Sequence, residues 1–198
     1  MFVLVVAVVG GLLAGLLLGG SIGNLERLSL RLAPLVVVAL VVQIVIFSPL
    51  ARPLSSAEIV GLHLGSYALL LVFVIANVRC RPVVCFGAGV ICNTLAIVVN
   101  GGYMPATRAA LRLAGITEAS GHHNNSEVAG PGTHLRFLVD VFALPHAVPL
   151  ANVFSVGDTL IAVGLAWLIA AGMRSEGAAW LAPVAGPRPR ARERAHGA

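Results

Sequence analysis

Long apolar stretches alternate along the chain with short polar connections. Five stretches have almost no charged side chain away from their ends: 2–20, 33–50, 59–78, 82–100 and 153–173. A helix needs roughly 20 residues to cross a hydrocarbon core of about 30 Å, so each stretch is long enough, or nearly long enough, to cross a membrane. The pattern predicts an all-α polytopic integral membrane protein with about five transmembrane helices, in which residues 1–176 form a single transmembrane domain.

The composition supports a membrane protein and excludes the soluble classes. The chain is 58% hydrophobic and 11% charged, whereas soluble domains carry about 25% charged residues. We therefore expect the lipid bilayer as a partner. The net charge of +5 does not predict nucleic-acid binding, because much of it lies in residues 177–198. We expect that Arg- and Pro-rich tail to be disordered and cytoplasmic.

The arginines predict the orientation of the spans, since cytoplasmic loops are enriched in basic residues. With five spans, nine arginines lie on one side: Arg27, Arg31, Arg79, Arg81, Arg174, Arg188, Arg190, Arg192 and Arg194. The other side carries four: Arg52, Arg108, Arg112 and Arg136. This distribution predicts a multi-pass protein of the cell membrane with its N-terminus outside and its C-terminus in the cytoplasm. Residues 101–152 then form an extracytoplasmic cap.

Small residues recur along the first apolar stretch. Gly11, Gly15 and Gly19 are spaced four apart, so they share one face of a helix. Such a stripe lets two membrane helices approach closely. We expect a helix–helix contact there, with a homo-oligomer as one candidate.

The two aspartates, Asp140 and Asp158, are the strongest candidates for a functional site. Both lie in apolar surroundings near the predicted outer interface, where a carboxylate is costly unless it is paired or solvated. Two carboxyl groups held close together share a proton, so that one acts as an acid and the other as a base. Such a pair can activate water against a carbonyl group. The sequence therefore favours a membrane-embedded aspartyl-type hydrolase.

Each aspartate also has a structural interpretation that involves no catalysis. Asp158 is able to cap the N-terminus of the last span. Asp140 is able to pair with Arg136, four residues earlier, if both lie on one helix. In that case the protein is a non-enzymatic accessory or structural membrane protein.

The segments LVDVF and FSVGDTLIAVG contain the two aspartates. They resemble the C-terminal part of bacterial lipoprotein signal peptidases, which are aspartyl membrane peptidases. The resemblance implies that Asp140 and Asp158 are a catalytic dyad, that the substrate is a membrane-anchored peptide, and that no cofactor is required. Asn93, Asn100 and Ser155 are candidates to orient the carboxyl groups or polarise the scissile carbonyl. Arg136 is a candidate to bind a lipid phosphate or the substrate backbone.

A second resemblance covers most of the chain. GNLERL, NGGYMP, LVDVFALP and FSVGD are similar to segments of a family of small bacterial membrane proteins of unknown function, domain of unknown function 5317. This resemblance implies a five-helix membrane protein and assigns no activity.

Histidines of the predicted cap suggest a different function. His122, His123, His134 and His146 have side chains that bind zinc or copper in other proteins. Their spacing matches no helical ligand motif. Metal binding is therefore kept as an alternative to hydrolysis, and no metal is assigned.

Overall fold

Helices make up most of the computed structural model, which describes residues 2–116, 126–148 and 151–174. The predicted tail, 177–198, lies outside these residues. Within these residues six α-helices follow one another: α1 (Phe2–Leu17), α2 (Pro34–Ile46), α3 (Ser56–Ala76), α4 (Arg81–Val99), α5 (Arg108–Leu113) and α6 (Val156–Met173). Short 3₁₀ helices at Ile22–Arg27 and Pro49–Ala51 flank α2. The mostly helical class is confirmed.

Three of the helices, α3, α4 and α6, are long and apolar enough to cross a membrane. The other two predicted spans form apolar helices that are shorter, since α1 has 16 residues and α2 has 13. At 1.5 Å per residue, α2 is only about 20 Å long. It is short because Pro34 starts it and because Phe47 and Ser48 end it before Pro49.

Side-chain contacts show that α2, α3 and α4 alternate in direction. Gln43 of α2 donates a hydrogen bond to Ser66 of α3, at 2.7 Å. Near the other end of this pair, the Asn77 side chain bonds to both the N–H and the C=O of Arg31. Gly87 of α4 lies against Val74 of α3, so α4 runs back along α3.

Close glycine contacts attach α6 to both α4 and α1. Gly164 lies against Phe86, and Gly157 lies against Gly89 and Asn93, so α6 runs antiparallel to α4. Between α1 and α6 the contacts follow the same order along both helices: Gly11 lies against Ala166, and Gly15 lies against Met173. Hence α1 and α6 run in the same direction, and the five longer helices alternate along the chain.

The alternation gives the bundle two different ends. The aspartate end holds Asp140, Asp158 and the segment between α4 and α6. The opposite, arginine end holds the connections from α1 to α2 and from α3 to α4. Exposed arginines occur at both: Arg27, Arg31, Arg79, Arg81 and Arg174 at the arginine end, and Arg52, Arg108, Arg112 and Arg136 at the aspartate end.

The segment that connects α4 to α6 contains short strands. β1 (Met104–Ala106) pairs in parallel with β2 (Ser126–Val128), and β3 (Phe142–Ala143) pairs antiparallel with β4 (Val153–Phe154). α5 lies after β1 and is capped by Thr107. The strands were not predicted.

The predicted glycine stripe is used within the chain. A Cβ atom at Gly11 would lie 2.8 Å from the carbonyl oxygen of Ala166, and one at Gly15 would collide with Met173. Because α6 already covers both positions, they are not available for the homo-oligomer contact that was considered. Gly19 lies beyond the end of α1 with φ of +77° and ends the helix.

Replacement of Gly11 by Ala tests this packing. The added methyl group would force α1 away from α6, and overpacking of this kind costs about 1–3 kcal/mol. We expect a lower thermal unfolding midpoint for Gly11→Ala in detergent. Gly10→Ala is the matched control, because nothing lies within 4 Å of the added methyl. Equal midpoints for the two variants would contradict the α1–α6 contact.

Candidate functional site

Asp158 is fixed at the start of α6 by a capping box. The Asp158 N–H donates to Ser155 Oγ at 3.0 Å, and the Ser155 N–H donates to Asp158 Oδ2 at 3.0 Å. Ser155 is completely buried. The exchange satisfies two backbone N–H groups that the first helical turn would otherwise leave unpaired. The structural interpretation of Asp158 as a helix cap is therefore confirmed, and catalysis would have to be an additional role.

Asn93 joins three helices through one buried amide group. Its Nδ2 donates to Asp158 Oδ1 at 2.8 Å and to the Tyr67 hydroxyl oxygen at 3.2 Å. Its Oδ1 accepts from Ser155 Oγ at 2.8 Å. Each amide hydrogen thus has an acceptor, so Asn93 holds the Asp158 carboxyl group in one orientation. The structure brings together three of the predicted site residues: Asn93, Ser155 and Asp158.

Asn93 is able to form these bonds because two positions near it, one in α4 and one in α6, are glycine. A Cβ atom at Gly157 would collide with Asn93 Oδ1, and one at Gly89 would collide with the Gly157 carbonyl oxygen. Close approach of helix backbones at small residues is what allows short polar side chains to bond across a membrane helix pair.

Asp140 approaches the same end of the bundle from the connecting segment. Its N–H donates to the Pro105 carbonyl at 2.9 Å, and its carbonyl accepts from the Thr107 N–H at 2.9 Å. Its backbone is therefore bonded along β1. The side chain is buried, at 7% exposure.

The Asp140 carboxyl group lacks full compensation for its burial. Its Oδ1 has no hydrogen-bond partner among the described residues. Burial raises the pKa of Asp140 well above its usual range, and the negative charge of Asp158 raises it further. Asp140 therefore keeps its proton at pH values at which an exposed aspartate has lost it.

Two carboxyl groups with unlike surroundings thus lie at the aspartate end. Asp158 accepts hydrogen bonds from Asn93 and Ser155, whereas Asp140 is buried, and its pKa is raised by that burial first and by the Asp158 charge second. Such a difference in surroundings is what separates an acid from a base in a carboxyl pair. Chemically, the arrangement is able to hold one proton and to release it to a bound group.

Hydrogen bonds join Tyr67, Asn93, Ser155 and Asp158 into one polar cluster. The remaining predicted site residues, Arg136 and Asn100, lie outside this polar cluster. Arg136 is exposed and donates to the carbonyls of Gly130 and Pro131, at 2.7 and 3.3 Å. The predicted pairing of Arg136 with Asp140 is wrong, because residues 135–141 are not helical and Leu135 has a φ of +47°.

Asn100 forms a different contact from the predicted one. Its Oδ1 accepts from the His134 N–H at 2.9 Å, and its Nδ2 donates to the carbonyls of Ala96 and His134 at 2.7 and 3.1 Å. These bonds attach the connecting segment to the end of α4. They occupy the amide that was expected to orient a carboxyl group.

An open groove lies beside this attachment. It has a volume of about 390 Å³, and its walls include Asn100, Pro105, Glu127 and His134. Because the Pro105 carbonyl also accepts from the Asp140 N–H, the groove adjoins the strand to which the Asp140 backbone is bonded.

The histidine cluster receives little support from the described residues. His122 and His123 lie outside them. His134 and His146 are placed by backbone bonds to Asn100 and Leu113. Within 2–116, 126–148 and 151–174, no group of three His, Cys, Asp or Glu side chains is arranged to hold a metal ion.

Tyr67 is the member of the cluster that sequence reasoning did not assign to the site. The available signal was that three residues with polar groups, His63, Ser66 and Tyr67, lie within five consecutive positions in the middle of α3. That spacing places Tyr67 one turn from His63, facing the same neighbours.

A comparison with models of known protein families matches residues 27–170 to a family of unknown function, DUF5317. The chain belongs to this family. No curated protein and no solved structure matches it. The resemblance of the two aspartate segments to lipoprotein signal peptidases thus gains no support. Since the DUF5317 match extends from the first 3₁₀ helix into α6, it includes the whole polar cluster.

The raised pKa of Asp140 predicts a dependence of stability on pH. A group whose folded pKa lies above its unfolded value of about 3.9 stabilises the fold at low pH, and this contribution is lost as the pH rises through the folded pKa. We expect the thermal midpoint of the wild type to fall over that range. Asp140→Asn mimics the protonated acid and should remove this part of the decline.

The control for this measurement is Glu26→Gln, which removes an exposed carboxyl group at the arginine end. It should leave the pH profile of the wild type intact. A profile for Asp140→Asn with the same slope as the wild type would show that Asp140 is not the titrating group.

Proposed function

We propose that this protein is a membrane-embedded hydrolase of the aspartyl type, with a membrane-anchored peptide as its substrate. The observation that carries the proposal is the buried carboxyl group of Asp140, whose Oδ1 is unpartnered among the described residues, at the same end of the bundle as Asp158. A buried acceptor without a partner costs about 1–3 kcal/mol. Such an unpartnered group calls for an explanation, and a catalytic role or a bound water molecule is one that native proteins commonly provide.

The two aspartates would divide the proton transfers between them. Asp158 takes a proton from a water molecule as the water oxygen attacks the scissile carbonyl carbon, and Asp140 gives its proton to the carbonyl oxygen. When the tetrahedral intermediate collapses, the C–N bond breaks, the proton on Asp158 passes to the leaving amine, and one hydroxyl group of the intermediate returns a proton to Asp140. Asp158 keeps a free lone pair on each oxygen for this role, because Asn93 and Ser155 each use only one.

A five-span topology accompanies this proposal. The alternating directions of α1, α2, α3, α4 and α6 fit five crossings, provided that the shorter α1 and α2 are extended by the turns that flank them. The arginine end would face the cytoplasm, in keeping with the bias of basic residues. The connecting segment would then form an extracytoplasmic cap, and the aspartates would lie at the outer interface.

The substrate would enter from the outer leaflet. The groove beside Pro105 is the candidate position for an extended peptide, since it is open and adjoins the strand that positions Asp140. Its wall carries the carboxyl group of Glu127 and the backbone of β2.

A non-enzymatic structural role is the second candidate, and the capping box favours it. Every hydrogen bond described for Asp158 also serves to start α6 or to join it to α4. In that case the polar cluster would serve only to hold the helices together.

Hydrolysis of a membrane-anchored peptide separates these two functions. We expect cleavage of a fluorogenic peptide with a lipid anchor by the wild type in proteoliposomes. Asp140→Asn and Asp158→Asn should each reduce it at least 100-fold, the lower end of what acid–base catalysis contributes. Glu26→Gln should cleave at the wild-type rate. Equal rates in the wild type and both aspartate variants would exclude the hydrolase.

Chemical labelling tests the proposed topology. In a background whose native cysteines are replaced, Ala109→Cys reports the aspartate end and Ser29→Cys the arginine end, and both residues are exposed. In intact cells, a membrane-impermeant maleimide should modify the cysteine at 109 only. After lysis it should modify both. Labelling of the cysteine at 29 alone in intact cells would reverse the proposed orientation.

A further inference from the structure

Tyr67 lies in the middle of α3 with its hydroxyl group at the centre of the polar cluster. The side chain is 8% exposed and packs in a core with Val90, Ile97 and Leu138. Leu138 comes from the connecting segment, two residues before Asp140. The tyrosine therefore shares its core with both the helices and the segment that contains Asp140.

The hydrogen bonds of its neighbours restrict what the Tyr67 hydroxyl group can do. A phenol has one hydrogen to donate, and its oxygen also accepts. The oxygen accepts from Asn93 Nδ2 at 3.2 Å, so the hydroxyl hydrogen is directed away from Asn93. Both Asp140 and Asp158 are within electrostatic range of the phenol.

Asp140 is the acceptor that needs this hydrogen. Both Asp158 oxygens already accept, one from Asn93 and the other from the Ser155 N–H. Asp140 Oδ1 is buried and has no partner within the described residues. Buried polar groups in this condition are commonly satisfied by an internal water molecule that makes about three hydrogen bonds.

We propose that Tyr67 is a positioning residue of the aspartate pair, whose hydroxyl group donates through one buried water molecule to Asp140 Oδ1. This inference rests on the proposed function in so far as Asp140 is its acid. With Oδ1 accepting, the proton of the neutral carboxyl group is favoured on Oδ2, because the carbonyl oxygen of a carboxylic acid is a better acceptor than its hydroxyl oxygen. Tyr67 thereby favours Oδ2 as the oxygen of Asp140 that releases a proton.

The ring of Tyr67 has a separate role, which makes the hydroxyl group testable alone. The ring packs edge-on against His63, with centroids 5.2 Å apart. Phenylalanine keeps that contact and the contacts with the core. Tyr67→Phe therefore removes the hydroxyl group and leaves the packing in place.

Infrared spectroscopy of the purified protein measures the proposed bond directly. A protonated carboxyl group gives a carbonyl stretching band, and the band of Asp140 is the one that disappears in Asp140→Asn. We expect this band to move to higher wavenumber in Tyr67→Phe, because its carbonyl oxygen loses a hydrogen bond. Tyr103→Phe, which changes the only other tyrosine, should leave the band in place.

Two results would overturn the inference. One is a band at the same position in the wild type and in Tyr67→Phe. The other is the absence in the wild type, at neutral pH, of any carboxyl band that Asp140→Asn removes.

A second measurement covers the case in which Tyr67→Phe does not fold. In a Tyr103→Phe background, fluorotyrosine labels Tyr67 alone, and its ¹⁹F resonance should titrate with Asp140. That titration should vanish in Asp140→Asn, and a titration that persists there would refute the bond.

The outcomes also distinguish this inference from the proposed hydrolase. A shifted band without peptide cleavage would keep the Tyr67 contact and reject the hydrolase. Cleavage that depends on Asp140, together with an unshifted band, would support the hydrolase and reject the Tyr67 contact.

Discussion

The close approach of α4 and α6 is the constraint on which the polar cluster depends. Glycine at positions 89 and 157 brings the two backbones together, and only then does the short side chain of Asn93 reach Ser155 and Asp158. The contact has two consequences. It satisfies the buried polar groups at the start of α6, and it fixes the Asp158 carboxyl group at the end of the bundle where the connecting segment also places Asp140.

The two aspartates differ because different parts of the chain position them. Asp158 belongs to a helix start, where a carboxyl group is stabilised by backbone N–H groups, and its capping role was readable from its place near the start of an apolar run. Asp140 is bonded along β1 through its backbone, so its carboxyl group is buried by tertiary structure. Local sequence could not predict that, since the strand is only three residues long.

The fold was predictable where the apolar stretches are long. The helices α3, α4 and α6 begin and end within three residues of the predicted spans. Predictions that assumed a continuous helix through 135–141 failed, because Leu135 takes a left-handed conformation and Arg136 turns to neighbouring carbonyls. The sequence also did not predict that α6 is the helix that contacts the glycines of α1, since a stripe of small residues does not specify which helix packs against it.

The most direct test of the central claim is a pH titration of the two aspartate side chains by NMR. Specific ¹³C labelling of aspartate gives only two carboxyl resonances, because Asp140 and Asp158 are the only aspartates of the chain. The account predicts that Asp140 titrates well above an exposed aspartate and that its pKa falls in Asp158→Asn, where the neighbouring negative charge is absent. An Asp140 resonance that titrates near pH 4, the usual value, or that is unaffected by Asp158→Asn, would contradict it.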